Sequence, residues 1–297
     1  MGKIAVVGDV MLDRYDYCKN RENPESSAPC YTVVRVEYKP GGAGNVAANL
    51  KSLGADADLI AVIGNDFHAG LLKKVLDEKG VSTKLINDAN RTTIVKERAL
   101  SNSDGRYHFR LDHEKVGDIN LEHAAEVINL IRKNGYELIL VSDYSKGMIT
   151  LDLMEQLKET GLPIIVDPKE AHKDFYHNVF MIKPNIKEVR KMAGLENELE
   201  AAEKLIGELN SNILLTRGQD GVSYFGIDGE RYDFSSQAHN GVIDVTGGGD
   251  TFIATFAHFY SKKLEIKECA RLANKAAGIA VGYPGCYAVS EKEVLEN

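Results

Sequence analysis

Asp244-Val-Thr-Gly-Gly-Gly-Asp250-Thr-Phe-Ile-Ala places three consecutive glycines and a carboxylate at the start of an apolar run. Gly247, Gly248 and Gly249 carry no Cβ, so their amides can turn toward one point. A helix beginning there adds its positive end, and nest and helix together favour an anion. Asp250 alone would repel that anion, so its place beside the nest needs a second purpose, and the economical one is to accept a proton from an attacking hydroxyl. A glycine-rich helix start with Asp250 as an ordinary cap is the bland alternative. No G-x-x-x-x-G-K-[ST] occurs, so nucleotide binding here does not use a P-loop.

Other segments carry compatible chemistry. Asn185 and Glu188 lie one helical turn apart on one face, which suits either support of a hydrated cation or a capping box. Thr216-Arg-Gly218 closes an apolar strand, and Gly41-Gly-Ala-Gly-Asn45 opens a helix. Asp13, at the end of the first strand, suits a residue accepting hydrogen bonds from sugar hydroxyls, with a buried capping Asp as the alternative. Arg98 and Arg110 stand on alternating segments, and guanidinium geometry suits a phosphate.

In order and approximate spacing these motifs resemble the ribokinase-like, or phosphofructokinase-B, family of small-molecule kinases, over nearly the whole chain. Segments 8–15, 23–29, 93–112, 142–147 and 167–169 are further similar to the members that act on D-glycero-β-D-manno-heptose 7-phosphate. The resemblance implies ATP as donor, Mg²⁺ as cofactor and a sugar phosphate as acceptor, with the product feeding synthesis of ADP-heptose, a lipopolysaccharide precursor. Asp250 resembles the family's base, with the amides of Gly247 to Asp250 as its anion hole; most members have alanine where this chain has Gly248, so the hole is expected to be less preorganised. Asn185 and Glu188 match the motif that supports Mg²⁺ through water. Thr216, Arg217 and Gly218 correspond to contacts with nucleotide phosphate or ribose, and Asn274 and Gly278 to the adenine pocket. Gly41, Gly42, Asn45 and Asp13 fall to the sugar; Arg98 and Arg110 fall to its phosphate, with Lys146 and Lys169 in reserve. Asp244 and the Gly285 to Ser290 turn resemble the monovalent-cation loop of some relatives, which leaves K⁺ dependence open.

Positioning these groups requires a large α/β frame, and 297 residues with 43% hydrophobic content can build one. Apolar strands are predicted at Lys3–Val7, Leu59–Ile63, Leu138–Val141, Ile164–Val166, Val179–Ile182 and Ile213–Leu215. Helical periodicity falls between them, at Val46–Leu53, Ala69–Leu76, Leu121–Ile131, Leu151–Leu157 and Ala201–Leu209, with Phe252–Tyr260 and Ile266–Val281 closing the chain. Strand and helix in alternation predict a mainly parallel sheet with helices on both faces, the three-layer α/β/α arrangement of the ribokinase-like family. Residues 15–39, 91–100 and 106–111 instead alternate apolar and polar, and are expected to form a small antiparallel β lid. Lids of this family often pair between subunits, so a homodimer through the lid is expected.

A net charge of −8 without a Lys/Arg block argues against a nucleic-acid surface. Cys18, Cys30, Cys269 and Cys286 are scattered, no run suits a membrane span, and no leader pattern opens the chain, so reduced thiols and a cytoplasmic location are expected. No H-x-G-H follows the kinase segments; the nucleotidyltransferase fused to many such kinases is expected on a separate chain. Gly42-x-Gly44-x-x-Ala47 with Asp66 also reads as a dinucleotide-binding turn, but an oxidoreductase would leave Asp244 to Asp250, Asn185-x-x-Glu188 and Thr216-Arg-Gly218 without a role. A non-catalytic sugar-phosphate sensor would have no need of Asp250.

Overall fold

The structure, a computed structural model, describes residues 2–115, 117–237 and 242–296. In chain order the first elements are β1 (Ile4–Gly8), β2 (Val10–Arg21), β3 (Cys30–Gly42), α1 (Ala43–Ser52), β4 (Ala57–Gly64), α2 (Phe67–Glu78), β5 (Ser82–Asp88), β6 (Ile94–Ser101) and β7 (Tyr107–His113). Next come α3 (Leu121–Lys133), β8 (Leu138–Ser142), α4 (Leu151–Lys158), β9 (Ile164–Asp167), β10 (Met181–Ile182), α5 (Ile186–Ala193), α6 (Glu198–Leu209) and β11 (Asn212–Thr216). β12 (Val222–Phe225), β13 (Arg231–Phe234), α7 (Gly248–Ser261), α8 (Ile266–Ala280) and α9 (Glu291–Glu296) complete it.

Nine strands form the central sheet in the order β13-β12-β11-β10-β9-β8-β1-β4-β5. From β11 to β5 every pairing is parallel, and β12 and β13 fold back antiparallel at one edge. Strands buried on both faces read as continuous apolar runs, which is why β1 and β8 are legible as such. Their alternate side chains serve two cores. Ile4 and Val6 pack with α1, α2, α7 and α8, while Ala5 and Val7 pack with α3, α4, α5 and α6. The result is the expected three-layer α/β/α frame.

The lid is a separate sheet in the order β3-β2-β6-β7. Its two outer pairings are antiparallel, and its middle pairing, β2 with β6, is parallel. The run expected as one piece over 15–39 begins at Val10 and divides into β2 and β3 around a polar turn. Asp13 therefore sits inside a lid strand, not at the end of β1. Gly8 closes β1, where an added Cβ would stand 2.2 Å from the Ser142 carbonyl oxygen, and the chain turns away at Asp9. The strand expected over Val179–Ile182 shortens to Met181–Ile182, the Val179 amide donating to Ser211 Oγ at 3.1 Å. Polar edge strand β5 and short β12 and β13 lack a continuous apolar run and escape the sequence pattern. Gly42 to Ala47 follow lid strand β3, and Asp66 caps α2 by accepting from the Ala69 amide at 2.9 Å; the dinucleotide turn is thus absent.

Candidate active site

Asp250 lies in the first turn of α7, buried, and both its oxygens accept hydrogen bonds. Asn45 Nδ2, from α1, donates to Oδ2 at 2.6 Å, and Tyr144 Oη, beyond β8, donates to Oδ1 at 3.0 Å. Asn45, expected to face the sugar, thus donates to Asp250. Burial raises the Asp250 pKa, opposed by Asn45, Lys183 and Tyr144. The carboxylate is therefore a stronger base than its unperturbed counterpart near pKa 3.9. Gly247 caps α7 in the left-handed region at φ 78°, a conformation that favours glycine. The turn it makes directs the Gly248 amide to the Val245 carbonyl at 3.2 Å, so the four-amide anion hole expected over Gly247 to Asp250 loses that donor. An alanine at 248 would bring its Cβ 3.1 Å from Val281 Cγ1. At Gly249 an added Cβ would stand 3.3 Å from Lys183 Nζ, which puts a cation beside the nest.

Lys183, just past β10, is buried and pairs with Asp167 Oδ1 at 3.0 Å. Burial opposes its charge, but Asp167 and Glu188 hold its pKa above the usual lysine range. Burial lifts Asp167 to about 6 despite Lys183, with Asp250 adding to the rise. The Glu188 pKa is raised by burial and then by Asp167. Glu188 Oε2 accepts from the Asn185 amide at 2.9 Å, while Asn185 Oδ1 accepts from the amides of Lys187 and Glu188, so the capping box is formed. Among the described residues no three His, Cys, Asp or Glu side chains gather as direct metal ligands. The donor set fits a hydrated Mg²⁺, which keeps several waters and takes few protein ligands.

Thr216 meets Asn185 in an isolated parallel bridge, and its amide donates to the Pro184 carbonyl at 3.0 Å. The two motifs, 31 residues apart in sequence, thereby share one edge of the site. Arg217 Nη2 stands 3.6 Å from Asp233, its enclosed Nε has no partner, and Gly218 turns the chain at φ 59°. Asn274 and Gly278 are buried on α8, one turn apart, and Asn274 Nδ2 donates to the Ser235 carbonyl at 2.7 Å. Asp244 ties two loops together, accepting from the amides of Thr246 and Gly285 at 2.9 Å each.

On the lid, strand alternation and register place Asp13, Lys96, Arg98, Arg110 and Asp112 on one face. Arg98 and Arg110 are direct cross-strand partners, so they converge as expected, but each already holds a carboxylate. Arg98 Nη1 donates to Asp13 Oδ1 at 2.7 Å, and Arg110 grips Asp112 with two bonds of 2.6 Å. Asp13 is thus engaged by Arg98. Gly41 stands so close that an added Cβ would be 2.6 Å from Asp13 Oδ2, and Gly42 turns at φ 59° into α1. Lys146 Nζ pairs with Glu114 at 2.7 Å, and Lys169 lies 3.4 Å from Glu170.

Sequence reasoning assigned no role to Lys96, Tyr144, Asp167 or Lys183. Lys96 Nζ stands 5.3 Å from the Tyr144 ring centroid, and burial lowers its pKa. Lys96 shared a strand face with Arg98 by simple alternation, and Lys183 was a single cation ending an apolar run, so both left a signal.

A buried carboxylate at a helix start beside a glycine turn, on a three-layer frame with a lid that carries cations, is an arrangement suited to phosphoryl transfer to a hydroxyl. Residues 1–293 match the pfkB family of carbohydrate kinases, and the chain belongs to that family. It is 37% identical over 300 residues to the bifunctional protein HldE of Pseudomonas savastanoi pv. phaseolicola, covering 98% of this chain and 62% of that protein. HldE of Geotalea uraniireducens is 35% identical over 307 residues, covering 99% of this chain and again 62% of the relative. The chain thus spans about three fifths of the length of these curated relatives. Phosphofructokinase-2 from Escherichia coli, solved in complex with potassium, superposes with a TM-score of 0.83 at 17% identity, covering 100% of this chain and 98% of that one. The ribokinase from Thermotoga maritima superposes at 0.80 and 21% identity over the whole of both chains. Among the described residues no helix is long and apolar enough to cross a membrane.

Proposed function

We propose that the chain transfers the γ-phosphoryl group of ATP, with Mg²⁺, to O1 of D-glycero-β-D-manno-heptose 7-phosphate, giving the 1,7-bisphosphate used for ADP-heptose. The observation that carries this reading is the lid face, where Lys96, Arg98 and Arg110 stand on neighbouring strands opposite Asp250. Arg98 and Arg110 are already paired with Asp13 and Asp112, and a phosphate borne by the acceptor would be shared between these pairs and Lys96. The segments similar to heptose 7-phosphate kinases and the identity with HldE proteins support the particular sugar.

Asp250 accepts the hydroxyl proton, and its burial strengthens it for that role. The amides of Gly247, Gly249 and Asp250, together with Lys183, offer positive charge to the phosphoryl group in flight. The resemblance to the family assigns Thr216, Arg217 and Gly218 to the nucleotide's phosphates and ribose, and Asn274 and Gly278 to its base. Glu188 and Asn185 would hold a hydrated Mg²⁺ through its water shell, and the ion would supply positive charge to the phosphates. Asp244 is the candidate for a monovalent cation. Asp13, Gly41, Gly42 and Asn45 are assigned to the sugar, with Lys146 in reserve for its phosphate, and Asn45 also holds Asp250.

A screen of sugars and sugar phosphates with ATP and Mg²⁺, scored by release of ADP, tests the assignment. Heptose 7-phosphate should turn over and the unphosphorylated heptose should be a poor substrate. Arg110→Ala should raise KM for heptose 7-phosphate by about 10- to 100-fold, as expected for one charge-assisted hydrogen bond, with KM for ATP almost unchanged. Equal use of free sugars, or an equal change in both KM values, removes the sugar-phosphate reading and leaves a carbohydrate kinase of another specificity.

A further inference from the structure

An acceptor hydroxyl can approach Asp250 only if its carboxylate plane is fixed, since rotation about χ2 would swing the available lone pair away. Two side chains from different elements hold it. Asn45 occupies one lone pair of Oδ2 and Tyr144 one of Oδ1, leaving each oxygen a second. Tyr144 is itself fixed at both ends. Its amide donates to Asp9 Oδ2 at 2.8 Å, and the amides of Lys146 and Met148 reach the same buried carboxylate at 3.0 Å each. Arg91 donates to the Lys146 carbonyl at 2.9 Å and closes the segment from the other side. The ring lies under Lys96, and burial, with Asp250 adding to it, raises the phenol's pKa well above its ordinary value, so the hydroxyl stays a donor.

We propose that Tyr144 is a positioning residue of the transfer reaction, its hydroxyl setting the orientation of the Asp250 carboxylate toward the acceptor. The inference rests on the reading of Asp250 as the base. Groups facing Asp250 come from every neighbouring element: Asn45 on α1, Asp13 on β2, Asp167 on β9, Lys183 past β10 and Cys286 in the last loop. Asn45 and Tyr144 donate to the carboxylate, and Tyr144→Phe removes one donor while keeping the ring under Lys96.

The test is a double-mutant cycle of Tyr144→Phe and Asp250→Asn with ATP, Mg²⁺ and heptose 7-phosphate. Tyr144→Phe should lower kcat by about 10- to 100-fold with both KM values within a few-fold. In the Asp250→Asn background it should lower kcat by less than about 3-fold, because a residue acting through Asp250 has nothing further to lose. The acid limb of its kcat/KM profile should also move to higher pH, since loss of a bond to the ionised carboxylate raises its pKa. Near-normal kcat in Tyr144→Phe overturns the inference, and so does an equal fold loss in both backgrounds. Near-normal kcat in Asp250→Asn alone overturns instead the reading of the base. If wild type leaves heptose 7-phosphate untouched, the substrate assignment fails, and the cycle is run on the acceptor found by the screen.

Discussion

Asp250 gains basicity from burial at the cost of local stability. A carboxyl with a raised native pKa favours the unfolded chain wherever it is ionised: the penalty is absent below the unfolded value of about 3.9, grows as pH rises and levels off above the native pKa. Asp250→Asn removes that penalty, and the amide can still accept from Asn45 and donate to the Tyr144 oxygen. The variant should therefore lose at least about 10²-fold in kcat with KM values within a few-fold. It should also melt higher than wild type at neutral pH, with the difference shrinking toward pH 4. Steady-state kinetics and calorimetry across pH check both halves. Unchanged turnover would remove Asp250 from the chemistry, and a lower melting point at neutral pH would show that its hydrogen bonds outweigh its burial.

At the scale of elements, α5 joins two roles in one turn. Asn185 and Glu188 form the capping box, and Glu188 also faces the Asp167 and Lys183 pair. Asn185→Ala removes a cap and should cost about 1 kcal/mol, near 2 °C in a chain of this size. Glu188→Gln keeps an oxygen for the Asn185 amide, so its melting point should hold while the Mg²⁺ dependence of the rate shifts. A flat Mg²⁺ comparison would leave Glu188 as a cap alone. Elements with a strong local period were legible: α1, α3, α6 and the parallel strands other than β5 fall within a few residues of expectation. β5, β12 and β13 were not: β5 and β13 are half-exposed edge strands, and β12, though buried between β11 and β13, is only four residues long, too short to show a run or an alternation. The site was legible where backbone demands selected the residue, as with Gly247 and Asn185. Its partners were less so. Nothing local in the sequence says that Asn45 reaches Asp250 across 205 positions, or that Tyr144 arrives from 106 away.

The whole molecule presents the lid as a sheet with two unlike faces. One carries the cations around Asp13; the other leaves Val33, Val36, Phe109 and Leu111 exposed, brought to one side by strand alternation and register. Phe109 is 42% and Leu111 47% exposed, and Tyr31 lies against Phe109 with ring centroids 5.9 Å apart. Exposed apolar side chains on the outer strands of an edge-bearing sheet mark an interface or an aggregation hazard. We propose that a second copy of this chain covers it, making a homodimer through the lid. A two-fold contact places the same strip on itself, so one substitution enters the interface twice. Phe109→Asp should therefore shift sedimentation from dimer to monomer while leaving the fold's circular dichroism unchanged. Phe109 alternates with Arg110 along β7, so loosening that strand should also raise KM for the phosphorylated acceptor more than for ATP. A wild-type chain that sediments as a monomer at micromolar concentration would remove the dimer and leave the strip to another partner; a variant that stays dimeric would place the contact elsewhere on the molecule.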